Sequence, residues 1–294
     1  MPPSVDKKSA RLIAVHALLL VVVANGCERA DPAARSGPGR RVVTTTPSAT
    51  EIVSATAGSA VLVGVDRFSS FPPEVKKLPV VGDFVSPSVE AILQLRPDLV
   101  VLDAVQVRTG EALRAGGIPT LVLEMHTVKD VLDGLTEVGQ ALGAAEGAAR
   151  ARARLEAAIA RARALGLARA HRPRVLLVVD REVGALRGLV ASGPGSYLDE
   201  LVSLLGGENV LADSAVRYPK ISPETIIESA PDVILDATHT DDPDRALTDW
   251  SSLASVPAVA RRRVHMIGGE GAGYYVSPGP RFDLALAGLE PLLD

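Results

Sequence analysis

The chain has 294 residues, a formal net charge of −4 at pH 7, 47% hydrophobic residues and only 3% aromatic residues. This length and hydrophobic content are enough for one large domain or two modest ones with a full hydrophobic core. The small negative charge, with no basic stripe along the sequence, argues against nucleic acid as a partner.

The N-terminus predicts export from the cytoplasm. A basic start at residues 7–11 precedes an apolar run at residues 12–24, which is too short to span a bilayer and typical of a signal peptide. Small residues then precede Cys27, the only cysteine of the chain, in a pattern that resembles the lipobox of bacterial lipoproteins. We therefore predict a signal peptide at residues 1–27, lipidation of Cys27 and a flexible tether at residues 28–40. The alternative is an ordinary secreted protein whose cysteine is incidental.

The first predicted lobe spans residues 41–126. It starts with a β-rich run at residues 41–45 and a helix that we expect Ser48 to cap, with Glu51 completing a capping box. Further strands are predicted at 61–65 and 119–124, a helix–strand unit at 88–103 and a helix at 109–115. Strands that alternate with short helices predict a parallel sheet covered on both faces.

Two helical stretches with no strand between them fill the predicted linker, residues 127–170. Residues 128–142 carry an apolar stripe with a period of 3.6 residues. Residues 146–165 are rich in the strong helix formers Ala, Arg and Glu, and would extend for about 30 Å. We interpret this long helix as a rigid strut between two lobes.

The second predicted lobe spans residues 171–294. Its predicted elements are a strand at 174–180, a helix at 197–205 capped by Ser196, a helix–strand unit at 222–237, a strand at 264–267 and a closing helix at 280–293. The glycine-rich loop at 268–273 leads to a tyrosine pair and not into a helix, so a dinucleotide-binding interpretation of it is weak.

The two helix–strand units repeat one pattern. Glu90 and Glu224 each follow a serine by two residues, and each unit continues with Pro-Asp and an apolar run. The two glutamates are 134 positions apart (224 minus 90). Two similar α/β lobes in one chain predict a cleft between them, where small ligands bind.

The aromatic residues predict the ligand-binding loops of this cleft. Although aromatic residues are scarce, five fall in loops that follow strands or precede helices: Phe68, Phe84, Tyr218, Tyr274 and Tyr275. Ligands of open parallel sheets sit at the carboxyl ends of strands, and rings on opposed loops would suit a large, flat, partly apolar ligand. We add Pro47 and Ser48, which follow the first strand, to the candidate ligand-binding residues. The alternative is that the rings pack the loops onto the core.

The paired acids have two interpretations. An acidic residue in the first helical turn is stabilised by the helix dipole by about 0.3–1 kcal/mol. This effect alone accounts for the placement of Glu90 or of Glu224, taken singly. The same acid at the same place in both lobes also predicts two exposed carboxylates that dock onto arginines of a partner.

No catalytic site or metal site is predicted. The five histidines have no metal-ligand spacing, and no nucleophile elbow or phosphate-binding loop occurs. We therefore expect no enzymatic activity, no resident metal and no cofactor. A secreted two-lobed enzyme remains as a hypothesis from another class.

Several motifs together carry a family resemblance. They are Arg41–Glu51 (RVVTTTPSATE), Val63–Asp66 (VGVD), Phe71–Pro79 (FPPEVKKLP), Val81–Gly82, Glu90–Val100 (EAILQLRPDLV), Gly206–Val210 (GGENV), Ile221–Glu224 (ISPE) and Pro278–Arg281 (PGPR). With these motifs the chain resembles the helical-backbone periplasmic solute-binding proteins of ABC importers, in the branch with cobalamin-, haem- and ferric-siderophore-binding members. The resemblance covers nearly all of residues 41–294 and is greatest to the cobalamin-binding proteins.

The resemblance implies two Rossmann-like lobes joined by a single long α-helix, the class III architecture. It implies that Glu90 and Glu224 engage arginines of a membrane permease, which works with an ATPase. It favours cobalamin as the ligand and leaves haem or a ferric siderophore open, because the phenolate of Tyr274 or Tyr275 would suit iron. Free Zn²⁺ or Mn²⁺ is not expected, because residues 44–48 contain no histidine. We expect a monomeric, membrane-anchored lipoprotein outside the cytoplasm.

Overall fold

A computed structural model of the chain describes residues 40–269 and 272–294. The predicted signal peptide, Cys27 and all of the predicted tether except residue 40 lie outside the described residues. Within them, two α/β lobes are joined by one long α-helix, which confirms the predicted fold class. No helix in this part of the chain is both long enough and apolar enough to cross a membrane.

The first lobe is built on a four-stranded parallel sheet in the order β2-β1-β3-β4. Its strands are β1 (Val42–Thr44), β2 (Leu62–Gly64), β3 (Leu99–Asp103) and β4 (Thr120–Leu123), and its helices are α1 (Pro47–Ala57), α2 (Val89–Gln94) and α3 (Val107–Ala115). Because the strands run in one direction, their carboxyl ends and the loops that follow them meet at one edge of the sheet.

Two helices lie between the two sheets along the chain, α4 (Val128–Leu142) and the long joining helix α5 (Ala145–Ala168). The bounds of α4 agree with the prediction because its ends are marked locally. Thr127 and Asp130 form a capping box at its start, and Gly143 ends it in the left-handed conformation. Helix α5 has 24 residues, about 36 Å at 1.5 Å per residue, and is longer than predicted.

The second lobe has a five-stranded sheet around β5. Its strands are β5 (Arg174–Asp180), β6 (Val190–Ala191), β7 (Glu208–Asn209), β8 (Val233–Asp236) and β9 (Val264–Met266), and its helices are α6 (Tyr197–Leu204), α7 (Pro223–Ser229), α8 (Pro243–Asp249), α9 (Pro257–Ala260) and α10 (Phe282–Leu289). Strands β7, β8 and β9 are parallel to β5, whereas β6 is antiparallel to it. The short elements β6, β7, α8 and α9 were not predicted, because elements of this length are too short to show a hydrophobic period. The closing helix is shorter than predicted.

The strands send alternate side chains into different cores. Val42 of β1 and Val175 of β5 belong to one buried hydrophobic cluster, which also contains Leu155 of α5. The next residues along these strands, Val43 and Leu176, lie in two separate clusters, one in each lobe. Because one core runs from lobe to lobe through α5, we expect the lobes to move little relative to each other.

Helix α5 approaches each lobe through a glycine. A Cβ atom at Gly147 would lie 1.9 Å from the carbonyl oxygen of Thr56 in α1. A Cβ atom at Gly166 would lie 2.5 Å from the carbonyl oxygen of Leu204 in α6. Any larger side chain would therefore force the backbones apart at these two contacts.

The start of α1 differs from the prediction. Thr46, and not Ser48, is the N-cap, since its hydroxyl accepts a hydrogen bond from the backbone N–H of Ala49 at 3.2 Å. The predicted capping box at Glu51 is also wrong, because this side chain bonds to Arg281, 230 positions away. The N-cap was assigned wrongly because the hydroxyl residues before α1 offer several possible caps. The capping box was assigned wrongly because no local pattern shows that Glu51 has a partner so far along the chain.

Candidate functional site

An ion pair between α1 and the residue before α10 joins the two lobes. Glu51 lies in α1, directly behind β1, and Arg281 lies just before α10 in the second lobe. Nε of Arg281 donates to Oε2 of Glu51 at 2.9 Å, and Nη2 donates to Oε1 at 2.5 Å. The side chains of Arg281 and Glu51 are only 14% and 8% exposed. We call this pair the clasp, because it joins the first lobe directly to the second.

Aromatic rings from both lobes lie against the clasp. Cζ of Arg281 is 4.1 Å from the ring centroid of Phe71 in the first lobe and 5.2 Å from that of Tyr274 in the second. Buried Tyr197 donates its hydroxyl to the carbonyl oxygen of Tyr274 at 2.9 Å, and burial raises the pKa of Tyr197 well above its usual value. We call the clasp and these rings the cleft floor.

Phe68 is held by a buried polar network of the first lobe. The carboxylate of Asp66 accepts hydrogen bonds from the backbone N–H of Phe68 at 2.8 Å and from the hydroxyl of Ser69. The Ser69 and Thr50 hydroxyl oxygens lie 2.7 Å apart, and those of Thr50 and Thr44 lie 2.6 Å apart. Burial raises the pKa of Asp66. The network fixes the loop while Phe68 itself stays 61% exposed, which suits a ligand contact.

Gln106 ties the loop of Phe84 to the same sheet edge. Its Oε1 accepts two hydrogen bonds from residues at the ends of β1 and β3, and its Nε2 donates to the carbonyl oxygen of Phe84 at 2.8 Å. The backbone N–H of Arg67 donates to the carbonyl oxygen of Gly82 at 2.9 Å. Phe68 and Phe84 therefore lie on neighbouring loops of the first lobe, and both are exposed.

Tyr218 occupies the corresponding place in the second lobe. It lies six residues before Glu224 (224 minus 218), as Phe84 lies six residues before Glu90 (90 minus 84). The backbone N–H of Gly193 donates to the carbonyl oxygen just before Tyr218 at 2.7 Å, which holds the loop beside the end of β6. Tyr218 is 41% exposed, and the partial burial of its side chain raises the pKa of its phenol.

The other predicted ligand residues lie nearer the core. Tyr274 and Tyr275 are half-buried, with ring centroids 4.6 Å apart. A Cβ atom at Gly288 would lie 2.1 Å from Oη of Tyr275, so this hydroxyl lies against α10, and burial raises its pKa to about 12. Pro47 and Ser48 are the first two residues of α1, and Ser48 is buried. The first lobe thus carries Phe68, Phe84, Pro47 and Ser48, and the second carries Tyr218, Tyr274 and Tyr275.

A buried charged network holds the corresponding sheet edge of the second lobe. Arg181 directly follows β5; its Nε donates to Asp236 at 2.8 Å and its Nη1 to Asp249 at 2.8 Å. Asp236 also accepts hydrogen bonds from the indole N–H of Trp250 and the backbone N–H of Thr238, both at 3.0 Å. These residues orient the loops that follow β5 and β8.

Glu90 and Glu224 occupy equivalent positions. Each is the second residue of a short helix whose N-cap serine accepts a hydrogen bond from the backbone, at 3.2 Å for Ser88 and 3.4 Å for Ser222. Both glutamates are exposed. The Ser222 hydroxyl lowers the pKa of Glu224, so this carboxylate is ionised at neutral pH.

The equivalence extends to the strands behind these helices. Arg41, before β1, donates its side chain to a carbonyl oxygen at the end of α2 at 2.8 Å, and its backbone N–H to Asp98 at 2.9 Å. Arg174, at the start of β5, donates to a carbonyl oxygen at the end of α7 at 2.9 Å, and its backbone N–H to Asp232 at 3.1 Å. Each lobe therefore fixes its glutamate-bearing helix to its central strand in the same way.

Sequence reasoning missed the main residues of the cleft floor. Glu51, Phe71 and Arg281 stood in motifs of the family resemblance, but no pattern assigned them to a site. Arg181 gave no signal, since its partners lie 55 and 68 positions away. Among residues 40–269 and 272–294, no group of three or more His, Cys, Asp or Glu side chains could hold a metal ion.

Comparison with known proteins identifies the architecture. The family model of the periplasmic binding proteins matches residues 42–270, a span that includes both sheets and α5. The chain belongs to the periplasmic binding protein family. This membership confirms the predicted family, assigns the chain to the periplasm and to solute binding for transport, and favours a binding protein over the secreted-enzyme hypothesis.

Two curated relatives of this periplasmic binding protein are vitamin B12-binding proteins. The one from Pectobacterium carotovorum subsp. carotovorum (strain PC1) is 29% identical over 75% of this chain and 79% of the relative. The one from Salmonella typhimurium (strain LT2) is 30% identical over 74% of this chain and 80% of the relative. The similarity therefore covers most of both chains.

Two similar solved structures are haem-binding proteins. The periplasmic haem-binding protein RhuT from Roseiflexus sp. RS-1, in apo form, is 29% identical with a TM-score of 0.74, over 87% of this chain and 98% of that chain. The periplasmic haem-binding protein BhuT, in complex with two haems, is 27% identical with a TM-score of 0.75, over the same shares of the two chains. Both support the two-lobed fold.

Proposed function

We propose that this periplasmic binding protein captures a large tetrapyrrole-type micronutrient, with cobalamin favoured, and delivers it to an ABC permease and its ATPase. The observation that carries the proposal is the set of exposed rings on loops of both lobes. Phe68, Phe84 and Tyr218 are 61%, 40% and 41% exposed, and their loops belong to both lobes. A flat, partly apolar macrocycle offers surface to rings on two sides. The curated relatives that bind vitamin B12 support the choice of cobalamin.

Haem or a ferric siderophore is the second candidate ligand. The haem-binding proteins of similar structure favour haem, and Tyr274 places a phenol beside the cleft floor. Tyr275 argues against iron ligation by its own oxygen. Its pKa of about 12 keeps the phenol protonated at neutral pH, and its hydroxyl lies against Gly288.

Titration of the purified protein with cyanocobalamin, haemin and a panel of ferric siderophores tests the proposal. The visible spectra of these ligands differ, so absorbance and calorimetry report binding of each separately. We expect saturable binding of cyanocobalamin at one molecule per chain. Preferred binding of haemin or a siderophore would support the second candidate, and binding of none of the three classes would contradict the proposed function.

Removal of the matched rings tests the position of the site. We expect Phe84→Ala and Tyr218→Ala each to weaken ligand binding by about 1–2 kcal/mol, the scale for losing a ring contact. Val85→Ala is the matched control, because Val85 is 85% exposed beside Phe84. Unchanged affinity in both ring variants would show that these rings only pack their loops.

We further propose that the chain is a lipoprotein anchored through Cys27. The motivation is the signal-like segment that ends at this single cysteine. Expressed with its signal peptide, the wild type is expected in the membrane fraction, and Cys27→Ser in the soluble periplasmic fraction. A variant that stays with the membrane would contradict the anchor.

The exposed glutamates complete the proposal. Glu90 and Glu224 are the docking residues, each meeting permease arginines in a charge-assisted pair. Their support is the equivalent, braced geometry in the two lobes.

A further inference from the structure

The clasp puts two compensating charges at the cleft floor. The carboxylate of Glu51 accepts hydrogen bonds from Nε and Nη2 of Arg281, whereas Nη1 has no hydrogen-bond partner among the described residues. Within these residues, Oγ1 of Thr238 is the one fully buried side-chain oxygen or nitrogen that lacks a partner. The side chain of Arg281 is 14% exposed, and the ring of Phe71 that it contacts is itself 40% exposed, so the guanidinium reaches accessible surface beside Phe71.

We propose that Glu51 is a selectivity residue of the cleft, which neutralises Arg281 so that the floor disfavours macrocycles with carboxylate side chains relative to uncharged ones. This inference rests on the proposed function, and concerns the class of macrocycle that the same cleft accepts.

Glu51 would act on the ligand through its charge. An arginine without a counter-charge in a largely buried floor would attract the carboxylates of a porphyrin such as haem, because little water screens it. Paired with Glu51, the guanidinium adds no net charge but still offers N–H donors. Such donors suit neutral acceptors, such as the amide carbonyl groups that surround a corrin ring.

Within residues 40–269 and 272–294, the other charges near the proposed cleft do not replace this effect. Arg67 and Arg217 stand beside Phe68 and Tyr218, but both are exposed, and water and salt screen their charge. Asp283, near the floor, is itself paired with Arg154 at 2.5 Å. The clasp is therefore the charge pair whose imbalance a bound ligand would sense most strongly.

Matched ligand pairs isolate charge from shape. We would measure the affinity of cyanocobalamin against its monocarboxylic acid derivative, in which one amide is an acid, and of haemin dimethyl ester against haemin. For Glu51→Gln, which leaves Arg281 uncompensated, we expect the acid-to-neutral affinity ratio to rise about tenfold. The double variant Glu51→Arg with Arg281→Glu keeps the floor neutral, and its ratio should return to the wild-type value.

Arg67→Gln is the matched control. It removes an exposed charge at the rim, and it should change the ratio by less than threefold, with a change that disappears at high salt. Should Glu51→Gln fail to fold, Arg281→Gln gives the opposite test, because it leaves Glu51 uncompensated and should lower the ratio.

An unchanged ratio in the folded variants would overturn the proposal and leave the clasp as a tie between lobes. That failure differs from failure of the proposed function, in which the wild type would bind no member of either ligand pair.

Discussion

The two lobes differ in the polar networks at the ends of their central strands, β1 and β5. In the first lobe, hydroxyl groups of Thr44, Thr50 and Ser69 lie in a chain of contacts behind β1. In the second lobe, the side chain of Arg181 is fully buried between Asp236 and Asp249 at the corresponding edge. The lobes share the parallel neighbours β1–β3–β4 and β5–β8–β9, whereas the other side of β5 carries an antiparallel strand, β6, and an additional parallel strand, β7.

On the side of the glutamate-bearing helices, the lobes agree in detail. Arg41 with Asp98, and Arg174 with Asp232, form the same brace. The comparison teaches where the two copies have kept a common geometry: at the helices proposed to meet a symmetric permease. The side that carries the proposed ligand residues would meet one asymmetric molecule, and it has no reason to remain symmetric.

The largest effect, on transport, is expected from removing the two glutamates on the side where the lobes agree. The double variant Glu90→Ala, Glu224→Ala should abolish most transport and ligand-stimulated ATPase activity of the assembled importer, because both proposed contacts with permease arginines are lost. Each single variant should lose a similar, smaller share, since the two positions are equivalent. Transport assays in vesicles, with ligand affinity measured in parallel, test this.

Glu228→Ala is the control for this experiment, because Glu228 is an exposed acid on the same short helix as Glu224. It should transport normally, and all variants should bind ligand as the wild type does. Normal transport by the double variant would reduce Glu90 and Glu224 to residues that only stabilise helix starts.

Breaking the second lobe's buried network should destabilise the protein most. Arg181→Met leaves the buried Asp236 without its counter-charge, and we expect a loss of about 3–5 kcal/mol in the free energy of unfolding. Thr50→Val, which removes one buried hydroxyl from the first lobe's network, should cost only about 1–2 kcal/mol. Urea unfolding measured by circular dichroism compares the two. Equal losses would show that the two networks do not differ in strength.

The same contrast shows what the sequence could predict. Helix α4 was predicted with its observed bounds from its apolar period and the glycine that follows it, both of which are local signals. The structure adds a capping box at Thr127 and Asp130. The glutamate-bearing units were predicted because the pattern occurs twice. Loop positions of Phe68, Phe84 and Tyr218 followed from the elements around them.

The features that the sequence did not predict depend on partners far apart in the chain. Glu51 has the spacing of a capping box, yet it bonds to Arg281 across the lobes. Arg181 looks like any charged residue after a strand, and only the fold shows that it is buried between two aspartates. Ligand identity depends on such contacts, which is why the sequence predicted the class of protein better than its ligand.

The contacts of α5 offer a smaller test of how each lobe is held. Gly147→Ala and Gly166→Ala should each destabilise the protein by about 1–3 kcal/mol, because the new methyl group would overlap a backbone oxygen. The loss should be larger for Gly147, whose added Cβ would lie 1.9 Å from Thr56, against 2.5 Å from Leu204 for Gly166. Chemical denaturation measures both.

Ala149→Gly is the control, because Ala149 is exposed on the same helix and reports only the intrinsic cost of glycine, about 1 kcal/mol. Alanine at Gly147 gains that amount, so a net loss there must come from the close contact. A stabilised Gly147→Ala variant would contradict the close approach of α5 to the first lobe.

The smallest effects are expected at the C-terminal ends of the two repeat helices. Arg96 and Ala230 end the two repeat helices at the same offset, eight residues after Ser88 and Ser222 (96 minus 88 and 230 minus 222). Both have left-handed backbones, with φ of 47° and 42°. Such a conformation costs a residue with a Cβ about 1–2 kcal/mol, whereas glycine adopts it freely.

Glycine also gains entropy in the unfolded chain, which opposes folding by about 0.4–1 kcal/mol. We therefore expect Arg96→Gly and Ala230→Gly each to stabilise the protein by about 0.5–1 kcal/mol, and by similar amounts, in thermal unfolding. Arg262→Gly, at φ 58° outside the repeat, is the positive control for the backbone effect. A gain at only one of the two repeat positions would mean that side-chain contacts, and not the shared backbone turn, set the stability there, and the equivalence of the two glutamate-bearing units would end at their N-termini.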